Sequence, residues 1–231
     1  MKKQLLEFSY KRNLGHIASA LSMVDYLQSV FKVINRDDKI VIGKPFGAQA
    51  YYVIWKELGW LDDIDRLHMG IKHDEIDFVD YSEETMGNAL GVAAGIAMTT
   101  DKRVWVNISD AALQMGNTLE AIQFIGHNKI NNIFVTVDYN GSQVTGKVDD
   151  IISVEPCIDL CRHYGWWTQV VDGHNTAALD AAFNNLVDVI PNIVFCKTQK
   201  GHGVTEMQEQ PELWHYKKIE NEQTLDRLCN N

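Results

Sequence analysis

Arg103-Val104-Trp105-Val106-Asn107-Ile108, closed by Ser109-Asp110-Ala111, and Asn132-Ile133-Phe134-Val135-Thr136-Val137-Asp138, closed by Tyr139-Asn140-Gly141, decide the fold of this chain. Both runs are rich in β-branched and aromatic residues, as half-buried or buried strands are. Between them, Gly116 to Asn128 has helical patterning, so the segment reads strand–helix–strand. In a parallel sheet both strands end on one edge, where ligands of open α/β sheets bind. Here a carboxylate, Asp110, closes the first strand and a carboxamide, Asn140, closes the second. Two hard oxygen donors at that edge suit a Mg2+ that is itself held by a diphosphate.

The same alternation runs outward in both directions. Residues 17–33 carry an apolar stripe (Ile17, Leu21, Val24, Leu27, Phe31) at helical spacing. A short β run at Asp38–Ile42 precedes an aromatic-rich helix near 47–59, and the charged, aperiodic 68–85 segment reads as a functional loop. Met86–Thr100, rich in Gly and Ala, reads as a helix that lets backbones approach closely. Downstream come a helix near 155–164, a strand near 167–171, a helix near 175–189 and a strand at 192–198. Strands alternating with helices predict an α/β fold whose parallel sheet is covered on both faces. No repeat, low-complexity tract or linker interrupts the pattern, so residues 1–231 are expected to form one domain.

With 231 residues, 45% hydrophobic and 10% aromatic, the chain is long and apolar enough for a well-buried core. A net charge of −10 without a Lys/Arg cluster excludes a nucleic-acid surface. An acidic chain that binds a diphosphate must neutralise it locally, with metal and backbone N–H groups. The polar first 14 residues do not form a signal peptide, and no apolar stretch approaches the roughly 20 residues of a membrane span, so the expected location is the cytoplasm. Cysteines 157, 161, 196 and 229 form no CxxC pair and read as reduced, packed thiols.

The order of these elements resembles the thiamine-diphosphate motif of the transketolase family, Gly-Asp-Gly followed about thirty positions later by Asn. Asp110 to Ala121 and Asn131 to Gly141 match without a gap, as do Ser153 to Pro156, Gly165-Trp166, Val171 to His174, Lys197 to Gly203 and Trp214-His215. Upstream, Gly15 to Asp25 and Gly87 to Leu90 match as well. The resemblance covers nearly the whole chain and corresponds to the N-terminal, diphosphate-binding third of a full transketolase. It implies thiamine diphosphate and Mg2+ as cofactors, with Asp110, Asn140 and the backbone carbonyl of Ser142 as metal ligands. Ser109, Asp110, Ala111, Asn140, Met86 and Glu84 would contact the cofactor. His16, His73 and His215 would line the substrate channel, and Glu120 would belong to a carboxylate network between cofactor sites. His174 is expected only to fix a turn.

Several positions depart from the family pattern. Ser109 and Ala111 replace the two glycines beside Asp110, which weakens the expected approach to phosphate; Ala111 can still donate its N–H if its φ is negative. Met115 stands where a Glu of the network belongs, and Tyr216 follows His215 in place of Gly. Ser-Lys-Gly-His reads Gly43-Lys44-Pro45-Phe46, so an expected channel His is an apolar ring. Glu83 and Glu84 beside the thiazolium site would disfavour an anionic donor unless they are paired. Asn140-Gly141 is also a favoured hairpin turn, but the polar, non-alternating Ser142–Asp150 is not expected to return as a strand.

The resemblance implies a cofactor-anchoring subunit of a split enzyme that moves a two-carbon ketol unit from a ketose to an aldehyde. The family's catalytic Glu lies in a domain beyond this chain, so a C-terminal partner subunit is expected, in an α2β2 heterotetramer that is inactive without it. Alternatives are a related enzyme acting on another ketose or a 2-oxo acid, or a non-catalytic subunit with a degenerate cofactor motif.

Overall fold

Period-2 alternation along the strands sends side chains to two separate cores, and the sheet between them organises everything else. In the computed structural model, which describes residues 1–65, 67–72 and 74–230, the strands are β1 (Lys39–Ile42), β2 (Tyr81–Ser82), β3 (Val104–Ser109), β4 (Ile133–Tyr139), β7 (Trp167–Asp172) and β8 (Asn192–Lys197). They form one sheet in the order β2-β1-β3-β4-β8-β7, every pair parallel. The helices are α1 (Lys2–Lys11), α2 (Ile17–Val30), α3 (Gln49–Glu57), α4 (Ala89–Ala97), α5 (Gly116–His127), α6 (Val148–Ile151), α7 (Pro156–His163), α8 (Thr176–Asn184), α9 (Thr205–Glu209) and α10 (Glu222–Cys229).

Ile40, Ile42, Trp105, Phe134 and Val194 pack with α1, α2, α3, α8 and α10 in one cluster. Their neighbours Val41, Val104, Val106, Ile133, Val135, Ile193 and Phe195 pack with α4, α5 and α7 in the other. This is the doubly covered parallel sheet that the alternating pattern requires. The α2 stripe from Ile17 to Phe31 is buried throughout. Cys157 and Cys161 on α7 are free and buried, and burial pushes the Cys161 thiol up to about 12. No helix among the described residues is long and apolar enough to cross a membrane.

Four expectations need correction. The 68–85 segment is not all loop: Tyr81–Ser82 pairs with Val41–Ile42 and supplies the sheet's edge. Helix α4 starts at Ala89 and not at Met86, because Gly87 has φ +117 and the Glu83 carboxylate accepts the Gly87 and Asn88 amides at 3.1 and 2.9 Å. Ser142–Asp150 does return as a strand: β5 (Ser142–Gln143) and β6 (Gly146–Lys147) pair antiparallel. Its turn is Val144-Thr145, so Asn140-Gly141 ends β4 and is not the hairpin turn. The helix expected near 175–189 stops at Asn184, since the Asn192 side chain takes both the N–H and the C=O of Val187.

One glycine shows how tightly the second core is packed. A Cβ on Gly126 of α5 would stand 2.3 Å from the Tyr164 carbonyl oxygen and 2.8 Å from its Cβ, whereas one on Gly91 of α4 would meet nothing within 4 Å. Gly126→Ala is therefore expected to destabilise by about 1–3 kcal/mol. Gly91→Ala should stabilise by about 0.5–1 kcal/mol through helix propensity. Urea denaturation of the two variants checks both signs, and a shift in the same direction for both would contradict this packing.

Candidate functional site

All strand ends that matter converge on one edge. Register places Ile42 beside Asn107, Ser109 beside Asp138, and Asp138 beside Cys196. Two residues past Ile42, Lys44 is therefore level with Ser109, and Thr198 lies two residues past Cys196. A cavity of about 470 Å³ opens there, lined by His16, Lys44, Phe46, Met86, Asn140 and His215 among others. It lies outside β1 and β3, from which β2 and β4 run in opposite directions across the sheet; that is the switch point at which α/β sheets bind ligands.

Asp110 is 1% exposed at the start of a 3-10 turn, Asp110–Gln114. Its Oδ1 accepts the Ala111 amide at 2.8 Å and its Oδ2 the Gly141 amide at 2.6 Å. Burial raises its carboxyl pKa, opposed first by Lys44 and then by these amides. Asn140 donates Nδ2 to Asp138 at 2.7 Å, and its Oδ1 accepts the Ser142 amide at 2.9 Å. A carboxylate offers about four lone pairs and an amide oxygen two, so both keep acceptor capacity. With the Ser142 carbonyl they make an all-oxygen donor set that suits Mg2+.

The residues that replace the family glycines are accommodated without strain. Ser109 has φ −93 and caps the 3-10 turn, its Oγ accepting the Ala112 amide at 3.3 Å and facing Met86 Sδ at 3.3 Å. The φ of Ala111 is not positive, and its N–H donates to Asp110 Oδ1 at 2.8 Å while the residue lines the cavity.

His16 holds a left-handed φ of 55 at the head of α2, a conformation His tolerates better than most residues. Its amide donates to the His215 carbonyl at 3.2 Å, and its ring meets Phe46 (5.1 Å, stacked), His215 (4.8 Å) and Tyr216 (5.4 Å). Burial, then Lys200 and Lys44, lower the His16 pKa to about 4; burial, then Lys200, His16 and Lys44, do the same for His215. Both imidazoles are neutral at pH 7. Lys200 Nζ lies 2.8 Å from His215 Nδ1, which must accept, so the His215 proton sits on Nε2.

Of the residues singled out in the sequence, the fold brings His16, Glu84, Met86, Ser109, Ala111, Asn140, Ser142 and His215 to one cavity wall, with Asp110 buried behind it. Glu120 is apart, exposed on α5 in a groove beside Gly91, Val92 and Phe124. His73 lies outside the described residues. Glu83 is hydrogen-bonded to the Gly87 and Asn88 amides in the turn ahead of α4, so among the described residues Glu84 is the carboxylate that lines the cavity. His174 does fix its turn, donating its amide to Asp172 at 2.9 Å.

Three residues at the centre of the edge, Asp138, Lys44 and Lys200, carry no role in the sequence reading. Asp138, fully buried, accepts Ser22 Oγ at 2.8 Å, Asn140 Nδ2, the Thr198 hydroxyl and the Lys44 ammonium. Burial lowers the Lys44 pKa to about 7, opposed by Asp110 and reinforced by Lys200, and its side chain contacts the Asp138 carboxylate. Lys200 is the second cation. A carboxylate at the last inward position of an apolar strand was the available signal for Asp138.

Residues 88–223 match the family model described as transketolase, thiamine diphosphate binding domain. Transketolase-like protein 2 of Bos taurus is 30% identical over 238 residues, covering 90% of this chain and 37% of that protein. Mouse transketolase is 29% identical over 229 residues, with 36% of its length covered. This chain thus spans little more than a third of these relatives. The 6-deoxy-6-sulfo-D-fructose transketolase subunit SqwG of Clostridium sp. (strain MSTE9) is 25% identical over 233 residues, and 84% of it is covered. Transketolase of Campylobacter jejuni shares the fold with a TM-score of 0.83 over 99% of this chain and 42% of its own, at 18% identity.

The neutral histidines set an acid response. Above about pH 6.5 they are neutral folded or unfolded and cost nothing. As pH falls from there toward 4 the unfolded chain binds protons that the folded one does not, so stability drops. His16→Asn, which keeps a residue tolerant of positive φ, should show a smaller loss of Tm between pH 6.5 and 4.5 than the wild type. Equal losses would mean that His16 does not titrate as a buried base.

Proposed function

We propose, from the premise that this chain belongs to the transketolase family as its thiamine-diphosphate-binding domain, that it anchors Mg2+ and the diphosphate of that cofactor as one subunit of a two-subunit enzyme. The carrying observation is the pair Asp110 and Asn140, an oxygen-donor pair at adjacent strand ends with unused lone pairs beside a 470 Å³ cavity. In this reading Asp110, Asn140 and the Ser142 carbonyl hold the metal, and Ser109, Met86 and Glu84 line the way toward the reactive ring. Bound there, thiamine diphosphate supplies a nucleophilic carbon able to break and make the bond beside a ketose carbonyl.

The chain's own residues orient and shield. His16 and His215, held neutral by burial and by neighbouring ammonium groups, hydrogen-bond hydroxyl oxygens without fixing an anion, and the His215 Nε2 proton points away from Lys200. Phe46 stacks on His16 and gives that wall an apolar face. The cavity is open, and its rim bears Val144, 57% exposed, and Tyr216, 62% exposed. Exposed apolar side chains around a binding cavity fit coverage by a second polypeptide. The SqwG relative, a transketolase subunit of nearly this chain's length, supports the same division. We infer a ketose donor, an aldehyde acceptor and a C-terminal partner carrying the catalytic Glu, in an α2β2 complex in the cytoplasm. Phe46, where the family has His, favours a donor other than the common phosphorylated ketoses; the sulfonated ketose named for SqwG is one member of that class.

Cofactor binding is read by thermal shift of the complex. At about 100-fold over Kd the gain is roughly 2.7 kcal/mol, a rise of several degrees in Tm. It should require Mg2+ and thiamine diphosphate together, vanish in Asp110→Ala and shrink in Asn140→Ala. No shift in the wild type at millimolar ligand would favour the non-catalytic alternative.

Division of labour is read by turnover. Ketol transfer from a ketose to an aldehyde, with cofactor and Mg2+, should be absent with this chain alone and appear with the copurified partner. Activity of the isolated chain overturns the two-subunit proposal.

A further inference from the structure

His174 has both ring nitrogens engaged, and each engagement dictates the other. Its Nε2 lies 2.8 Å from the Gln199 amide, which can only donate, so that nitrogen accepts and the ring proton is on Nδ1. Nδ1 in turn lies 2.7 Å from Asp25 Oδ2, the acceptor that keeps the proton there. His202 stacks on the ring at 3.5 Å and 10°; burial, then His174, lower the His202 pKa, so it packs as a neutral ring. Asp25, His174 and His202 bring three ligand atoms within 4.8 Å of one another. They do not suit a metal ion, because nearly parallel rings aim their in-plane lone pairs along lines that do not converge.

The turn that carries His174 is pressed against the end of β8. Asp172 pairs with Lys197, and the Gly173 amide donates to the Lys197 carbonyl at 2.7 Å. A Cβ on Gly173 would overlap the Thr198 methyl and stand 3.0 Å from the Lys197 carbonyl oxygen, so this turn admits only glycine without moving. Asp25 reaches the turn from α2, and α2 supplies a second tether: the Gly201 amide donates to the Ala18 carbonyl at 2.9 Å. Lys200 therefore stands between two fixed amides, that of Gln199 on His174 and that of Gly201 on α2. From this backbone its ammonium, buried with the residue at 3% exposure, reaches His215 Nδ1 at 2.8 Å and Ser142 Oγ at 3.2 Å.

We propose that His174 is a positioning residue for the cavity: with its tautomer set by Asp25, it fixes the Gln199 amide, hence the Lys200 ammonium, hence which nitrogen of His215 carries the proton. A carboxylate, an imidazole, a peptide, an ammonium and a second imidazole thus make one relay of hydrogen bonds from α2 to the cavity wall. With its proton on Nε2, His215 donates through that nitrogen; with the proton on Nδ1, it accepts there. For turnover, the inference rests on the functional reading above.

Two measurements test it. Nitrogen-15 NMR of the histidine-labelled full chain reports which ring nitrogens are protonated, and ketol transfer from hydroxypyruvate to glycolaldehyde by the complex with its copurified partner reports kcat/KM. The wild type should show His174 protonated on Nδ1 and His215 on Nε2. His174→Phe keeps a ring for the stack but accepts nothing; it should mix the His215 tautomers and lower kcat/KM by about ten- to a hundredfold. His174→Gln, whose Oε1 can accept the Gln199 amide, should restore the His215 tautomer and most of the rate. In a Lys200→Met background His174→Phe should cost little more, since its effect runs through the lysine. A folded His174→Phe chain with His215 still protonated on Nε2 overturns the proposal, as does His174→Gln being as impaired as His174→Phe. Full additivity with Lys200→Met also overturns it, because the histidine then acts elsewhere. A wild-type complex without turnover counts against the functional reading, and the His215 tautomer in the variants still decides the proposal.

Discussion

A carboxylate removed entirely from water must be satisfied, and Asp138 is satisfied by four separate parts of the chain. Its donors come from α2 (Ser22), the end of β1 (Lys44), the turn after β4 (Asn140) and the end of β8 (Thr198). Strand parity explains its direction: Asp138 points the same way as Phe134 and Thr136, toward α2. Removing the carboxylate would strand the buried Lys44 ammonium, a change that costs about 3–5 kcal/mol where measured elsewhere. The same contact orients Asn140, because the amide nitrogen is held by Asp138 and the oxygen is the end left for other partners.

This anchor also shapes the electrostatics of the cavity. Lys44 contacts Asp138, Lys200 feels the charge of Asp110 and Glu212, and Glu83 is held by the amides ahead of α4. Burial, reinforced by these two ammonium groups, keeps His16 and His215 uncharged. A site built in an acidic chain is therefore locally balanced, and its imidazoles are hydrogen-bonding groups, not cations. Net charge read over the whole sequence conceals this.

Strand and helix identities were legible because burial on both faces leaves long β-branched runs, and the position of the site followed from where those runs stop. Asp110 and Asn140 stand out for that reason. What stayed hidden depends on partners far apart in sequence: the contact of Lys44 with Asp138 and the bracing of Gln199 by His174 have no local trace. The two-residue strand at Tyr81–Ser82 is too short to carry periodicity, and the 142–147 hairpin has no apolar alternation to show. Ser109 and Ala111 looked like damage to a glycine motif; the backbone there needs no left-handed angle. Glu83 and Glu84 looked alike as neighbours, and the amides of Gly87 and Asn88 bonded to Glu83 separate them.

The wide spacing of the groups gathered by Asp138 bears on how the protein is made. Ser22 and Lys44 leave the ribosome well before Asp138, and Thr198 follows later still. Until the last of them emerges, the carboxylate and the ammonium have no reason to leave water, and the edge that frames the cavity cannot close. A nascent chain interrupted anywhere before β8 thus exposes β4 along one whole side, the central strand of the finished sheet and the one most prone to wrong pairing.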